Sequence, residues 1–234
     1  MPYAATSSAA AYPMTNHNRH TAMKTNIAII IAILLLAACD DRQKTLTVAC
    51  IGDSITEGYG IERQCDNAYP ALLDSILGPD YDVMNFGRSG TTMMRRGDYP
   101  YWTVKELRNA LNSHADIVVI KLGTNDCKAF QWDADEYDAS YQMLIDTLQA
   151  GNPDTRIYLC LPVPVMADKW TMSDSVIVNG VIPSVKRIAE RNRLPVIDLY
   201  TPFTGRMELF SDSIHPTRQG ALLMAETVAR AISE

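Results

Sequence analysis

Histidine is scarce in this chain, with four residues in 234: His17, His20, His114 and His215. Few imidazoles are therefore available for acid–base work. No Cys or His spacing has the form of a zinc site, so no metal centre is expected. Positive charge is also short, with 21 Lys and Arg against 27 Asp and Glu and a net charge of −6. An acidic chain without a basic stripe is a poor partner for nucleic acid or for anionic lipid headgroups. Internal repeats and low-complexity tracts are missing, which argues against solenoids and disordered linkers. No membrane-spanning run is present either, since the apolar stretch Ile27–Ala38 has twelve residues where a spanning helix needs about 20.

That stretch has the length of a signal-peptide core and follows a basic n-region, Met23-Lys24-Thr25-Asn26. It ends in Leu36-Ala37-Ala38-Cys39, which resembles a bacterial lipobox. The resemblance implies that the Cys39 thiol carries diacylglycerol and becomes the first mature residue. An ordinary secretory signal followed by a chance cysteine is the alternative. Residues 1–22 are polar or alanine-rich, and translation is expected to start at Met23. The expected organisation is a signal peptide over 1–38, a short polar tether over 39–44 and one domain over 45–234. Membrane contact is then through the N-terminal lipid alone, in the cell envelope, either periplasmic or surface-exposed. Losing residues 1–38 removes Arg19 and Lys24 and no acid, which leaves 19 bases against 27 acids and a charge of −8.

Of the other cysteines, Cys50 and Cys160 fall inside apolar runs and read as small buried hydrophobes. Cys65 and Cys127 lie in loops. An envelope location permits a disulfide between them, although the sequence does not fix their separation.

From Thr45 onward, short apolar runs alternate with helix-length amphipathic segments. The runs are Leu46–Ile51, Tyr81–Phe86, Asp116–Leu122, Arg156–Leu161 and Pro195–Leu199, each with the length and residue types of a buried strand. Between and after them come Tyr69–Leu77, Tyr101–Asn112, Asp135–Ala150, Asp174–Asn192 and Thr217–Ile232. Pro183 is expected to kink or split the fourth of these. Five strand–helix alternations predict an α/β fold, a three-layer sandwich around a five-stranded parallel sheet of flavodoxin type.

In such sheets ligands sit beyond the carboxyl ends of the strands. Gly52-Asp53-Ser54-Ile55-Thr56 follows the first strand, Asn85-Phe86-Gly87-Arg88-Ser89-Gly90 the second, and Gly123-Thr124-Asn125-Asp126 the third. Asp212-Ser213-Ile214-His215-Pro216 follows the fifth by a loop. Four stretches thus converge on one edge. His17 and His20 precede the domain and His114 leads into the third strand at the opposite edge, so His215 alone can serve as a base there. Asp212, three residues earlier, can reach its Nδ1–H, fix the tautomer and stabilise the imidazolium. Ser54 is a candidate nucleophile, with a helix N-cap paired to Glu57 as the other reading. Gly90 and Asn125 offer donors to a developing oxyanion, or else are turn formers.

The four stretches, in this order and spacing, resemble the blocks of the GDSL-type, or SGNH, hydrolases over essentially all of 45–234. The resemblance implies Ser54, Asp212 and His215 as catalytic residues. It also implies an oxyanion hole made by the N–H groups of Ser54 and Gly90 and the side chain of Asn125. Chemistry of this kind calls for no metal or organic cofactor. Residues 118–126, 178–183 and 209–216 further resemble bacterial envelope carbohydrate (sialate-type) O-acetylesterases. Cys127 departs from the serine expected there, which bears on a substrate-side detail. The implied partner is an acetylated glycan or another small ester. Alternatives are a lysophospholipase or thioesterase, which needs an apolar trough, and a non-catalytic glycan-binding lipoprotein. Tyr59, Tyr99, Tyr101, Trp102, Trp132 and Trp170 flank the expected site and suit sugar stacking, though several are expected to be ordinary packing.

Overall fold

The computed structural model describes residues 44–167 and 169–233. The signal, lipobox and Cys39 readings lie outside them. Five strands form one sheet: β1 Leu46–Gly52, β2 Tyr81–Gly87, β3 Ile117–Lys121, β4 Arg156–Leu161 and β5 Val196–Asp198. Their order is β2-β1-β3-β4-β5 and every pairing is parallel. The expected α/β sandwich is therefore present, and β5 is shorter than its apolar run.

Alternation along the strands divides the core between two faces. Ala49 and Ile51 of β1, with Val118 and Ile120 of β3, pack on one side. The helices covering that side are α4 Lys105–Asn112, α5 Ala134–Gly151 and α7 Ile182–Asn192, which contribute Leu107, Leu144 and Ile188 among others. Val48, Cys50, Ile117 and Val119 face the other way, against α3 Tyr69–Leu77 and α8 Arg218–Ile232. Burying each such aliphatic side chain contributes about 1.5–3 kcal/mol before the entropy of ordering is charged against it. The stripe Tyr137, Tyr141, Leu144, Ile145 and Leu148 of α5 is wholly buried, so it is core.

Two helices begin later than the sequence pattern suggests. Residues Tyr101–Thr103 form a 3₁₀ turn, and Val104, with extended backbone, separates it from α4. Asp174–Val176 (α6) leads into a π-helical turn over Ile177–Val181 and then α7. The cause is Pro183 in the first turn of α7, which has no N–H to return to the carbonyl four residues back. Gly180 within that turn lies against Trp132, where an added Cβ would stand 2.7 Å from the indole.

The short helices α1 Ser54–Glu57 and α2 Gln64–Asn67 fill the crossover after β1. Both helices and the other turns at the carboxyl ends of β1, β2 and β3 lie on the edge where the four sequence stretches were expected to meet. Among the described residues no helix is long and apolar enough to cross a membrane.

Candidate active site

Ser54 opens α1 directly after β1. Its neighbour Asp53, not Ser54, caps the helix: Asp53 Oδ1 accepts the Ile55 N–H at 3.0 Å. The capping-box reading therefore fails, because the carboxylate that satisfies the helix end belongs one residue earlier. The Ser54 hydroxyl is left for another partner, His215 Nε2, at 2.9 Å across 161 residues of chain. Glu57 is not a cap partner either. Its Oε2 accepts the Ser89 N–H at 2.7 Å and also the Ser89 hydroxyl, so it ties α1 to the loop after β2.

His215 and Asp212 are held by one turn. Asp212 Oδ2 accepts from His215 Nδ1–H at 2.9 Å, which leaves Nε2 as the acceptor facing Ser54. Asp212 Oδ1 accepts the backbone N–H groups of Ile214 and His215 at 3.1 and 2.8 Å. Closing so tight a turn puts Ser213 at φ +76, a region costly for a residue with a Cβ. Desolvation opposes ionisation of Asp212. The His215 N–H and side chain, the imidazole charge and the Ile214 N–H outweigh it and hold the carboxyl at about 2. Lys169 adds an ion pair, its Nζ 3.4 Å from Asp212 Oδ2. The Tyr59 and Trp170 rings stand 4.7 and 5.9 Å from the imidazole.

The donor candidates lie on the same cleft. Gly90 adopts φ +82, which glycine alone takes without strain. Asn125 is buried, and its Nδ2 spends one N–H on the Thr91 carbonyl at 3.0 Å, which fixes the amide and leaves the second N–H for a ligand. Asp126 grips the strand of loop beyond Gly90 by accepting the Met93 and Met94 N–H groups at 2.9 and 2.8 Å. Burial, with the Asp53 charge adding to it, pushes the Asp126 carboxyl up to about 7 despite those two bonds.

Ser54, Gly90, Asn125 and His215 all line one cavity of about 360 Å³, with Tyr59, Ser89, Lys128, Phe130, Trp170, Thr171 and Met172. Asp212 stands behind His215. Every catalytic or donor residue expected from the sequence is thus gathered at one place. Lys128 is ion-paired with Asp98 there. Of the six aromatics expected to flank the site, Tyr59 and Trp170 line it. Tyr101 is buried and donates its hydroxyl to the Phe86 carbonyl, while Trp102 and Trp132 pack on the core and Tyr99 lies near Gly90. Phe130, 71% exposed on the cavity rim, was missed, although its place five residues after Asn125 was a usable signal. Cys127 is buried in the core and not on the cavity, so its departure from serine touches packing and not substrate. Burial pushes its thiol up to about 12. Cys65 is exposed, and both cysteines are free. Among the described residues no group of three or more His, Cys, Asp or Glu side chains is placed to hold a metal ion.

A hydroxyl bonded to an imidazole that is itself bonded to a carboxylate can attack a carbonyl as the imidazole takes the proton. Set at the carboxyl edge of a parallel sheet and beside free N–H donors, it marks the class of acyl-ester hydrolases. The chain belongs to the GDSL-like lipase/acylhydrolase family, whose model matches residues 50–223. It is 37% identical over 213 residues to an acetylxylan esterase of Xylanibacter ruminicola, an alignment that takes in 82% of this chain. The chain spans 44% of that relative's length. Among solved structures, an acetyl xylan esterase is similar at TM-score 0.64 and 22% identity, over 80% of this chain and 100% of the other. A carbohydrate acetylesterase from Sinorhizobium meliloti matches at 0.64 and 20%, over 80% and 98%. At these identities the two structures bear on the fold alone.

Proposed function

We propose that the domain removes short acyl groups, O-acetyl foremost, from a glycan through an acyl-enzyme on Ser54. The observation that carries this reading is the 2.9 Å contact between Ser54 Oγ and His215 Nε2, with Asp212 on the far nitrogen. In the proposed reaction Ser54 Oγ attacks the ester carbonyl and its proton passes to His215. The tetrahedral oxyanion is met by the N–H groups of Ser54 and Gly90 and the spare Asn125 N–H, donors of a kind worth about 10²–10³ in turnover each. His215 then protonates the departing sugar oxygen. Water, deprotonated by the same imidazole, attacks the acyl-enzyme, and carboxylate leaves with Ser54 restored.

The sugar part of the reading is supported by Tyr59, Trp170 and Phe130, aromatic faces exposed around a cavity that also offers Ser89, Thr171 and Lys128. Exposed rings beside a few hydrogen-bonding side chains suit stacking against a pyranose. The acetylxylan esterase relative points the same way. The envelope location and the Cys39 lipid anchor complete the proposal.

Ser54→Ala is the test. It is expected to abolish p-nitrophenyl acetate hydrolysis while the urea midpoint stays at the wild-type value, and retained turnover would sink the reading. Undetectable wild-type turnover beside measurable sugar affinity would instead favour a binding protein. Acetyl esters are expected to outpace octanoyl esters, and the reverse order would favour a lipid-directed acyl hydrolase. Cys39→Ser should move the protein out of the detergent phase on Triton partition.

A further inference from the structure

The proposed reaction leaves one buried ion pair without a task. Lys121 ends β3 in a strand whose five residues are all buried, and every other one of them is apolar. It pairs in register with Gly52, the residue before Asp53. The Lys121 and Asp53 side chains have no exposed surface. Lys121 Nζ lies 3.1 Å from each Asp53 carboxylate oxygen and 2.7 Å from Thr124 Oγ1.

Both partners sit one residue from the proposed chemistry. Asp53 precedes Ser54 and caps the helix that Ser54 opens, and Thr124 precedes Asn125. One ammonium therefore ties the turn after β1 to the turn after β3. Stability does not account for it. Two charges taken out of water lose hydration worth several kcal/mol each, and replacing such a pair with apolar side chains is often neutral or stabilising. An aliphatic residue at 121 would continue the Ile117–Ile120 pattern without that penalty. The other buried carboxyl nearby, Asp126, is already engaged by the Met93 and Met94 N–H groups and does not compete for the ammonium.

We propose that Lys121 is a positioning residue, which through Asp53 and Thr124 fixes the distance between the Ser54 hydroxyl and the Asn125 amide. This inference rests on the acyl-enzyme reading of Ser54. Attack and oxyanion stabilisation need both groups placed to within a fraction of an ångström, and a 1 Å error costs about 10²-fold in rate.

The experiment measures kcat and KM for p-nitrophenyl acetate, and urea unfolding, in wild type, Ser54→Ala, Lys121→Met and the double variant Asp53→Asn, Lys121→Met. Lys121→Met alone strands the Asp53 charge and is expected to lose stability as well as rate. The double variant removes both charges and keeps an amide oxygen to cap Ile55. It is expected to unfold at or above the wild-type midpoint while kcat falls about 10²-fold with KM within about twofold. Wild-type kcat in the double variant would overturn the proposal. So would a loss of rate no larger than its loss of folded protein, or a failure to fold cooperatively, since either assigns the pair to stability. Turnover in Ser54→Ala would remove the acyl-enzyme reading itself. A dead Ser54→Ala beside a fully active double variant would remove only the role given to Lys121.

Discussion

The two ends of the sheet bury different things. Where β3 meets its covering helices at the amino end, the gap is a cavity of about 10 Å³ lined by Ala110, Leu111, Val118 and Leu148, with His114, Asn152 and Thr155. At the carboxyl end it opens to about 360 Å³. Twelve polar side chains are buried among the described residues, and ten belong to this end: Asp53, Ser54, Thr56, Thr91, Thr92, Lys121, Thr124, Asn125, Asp126 and His215. Burying polar groups is unfavourable unless each finds a partner. A chain that gathers most of them at one rim holds there a set of groups largely fixed by hydrogen bonds, the Thr56 hydroxyl being the exception, without a partner among the described residues. Polarity that is both buried and localised is where chemistry is to be sought.

The histidines give the sharpest way to break this contrast. His215→Ala should lower kcat by about 10⁴ or more. His114→Ala at the opposite end, where the ring is exposed and contacts the Gly151 carbonyl, should leave kcat at the wild-type value. Equal losses would erase the distinction between the ends. Asp212→Asn is expected to cost about 10⁴-fold by removing the carboxylate that fixes the imidazole tautomer. It also has a pH signature. The Asp212 carboxyl is held at about 2, below its usual value near 4, so it contributes stability above about pH 4 that is lost as pH falls toward 2. The stability gap between wild type and Asp212→Asn, followed by urea titration, should narrow as pH falls from about 4 toward 2. A gap that persists to pH 2 would contradict the assigned contacts.

Smaller effects are expected further from the hydroxyl. Asn125→Ala removes one oxyanion donor and should lower kcat by about 10²–10³ with KM little changed. Glu57→Ala frees the Ser89 N–H and hydroxyl and loosens the loop carrying Gly90, so a loss of about tenfold is expected, smaller than the 10² of a full ångström of misplacement. A larger loss for Glu57 than for Asn125 would reverse this ordering.

Much of this was legible in the residues, for identifiable reasons. Buried parallel strands are continuous apolar runs, so β1, β3 and β4 could be read within a residue or two at their ends, whereas β2, an edge strand with no fully buried residue, was found by its length and its place in the alternation. His215 could be found because few imidazoles compete with it. What could not be read depends on where loops fold. Asp53 and Ser54 are both good caps, and only the position of His215 decides which oxygen is released. Lys121 falls next to last in the run Asp116–Leu122 and reads as a strand end reaching solvent, and its burial follows from Asp53, 68 residues away. Tyr101 and Trp132 lie in loop-like sequence as Tyr59 and Trp170 do, but the Tyr101 ring is buried and Trp132 packs on the core. Pro183 announced a disturbance, but its π-helical form over Ile177–Val181 could not be told from the residues.

Ser213 holds its left-handed backbone so that base and acid ride on a single four-residue turn. Warming or mild denaturant that loosens this rim moves imidazole and carboxylate as one body and stretches the gap to the hydroxyl, with the turn's ties to Met166 and Lys169. Inactivation ahead of melting should therefore trace to a lengthening of the gap to Ser54. The rest of the relay would then reset as soon as the loop settles back on the sheet.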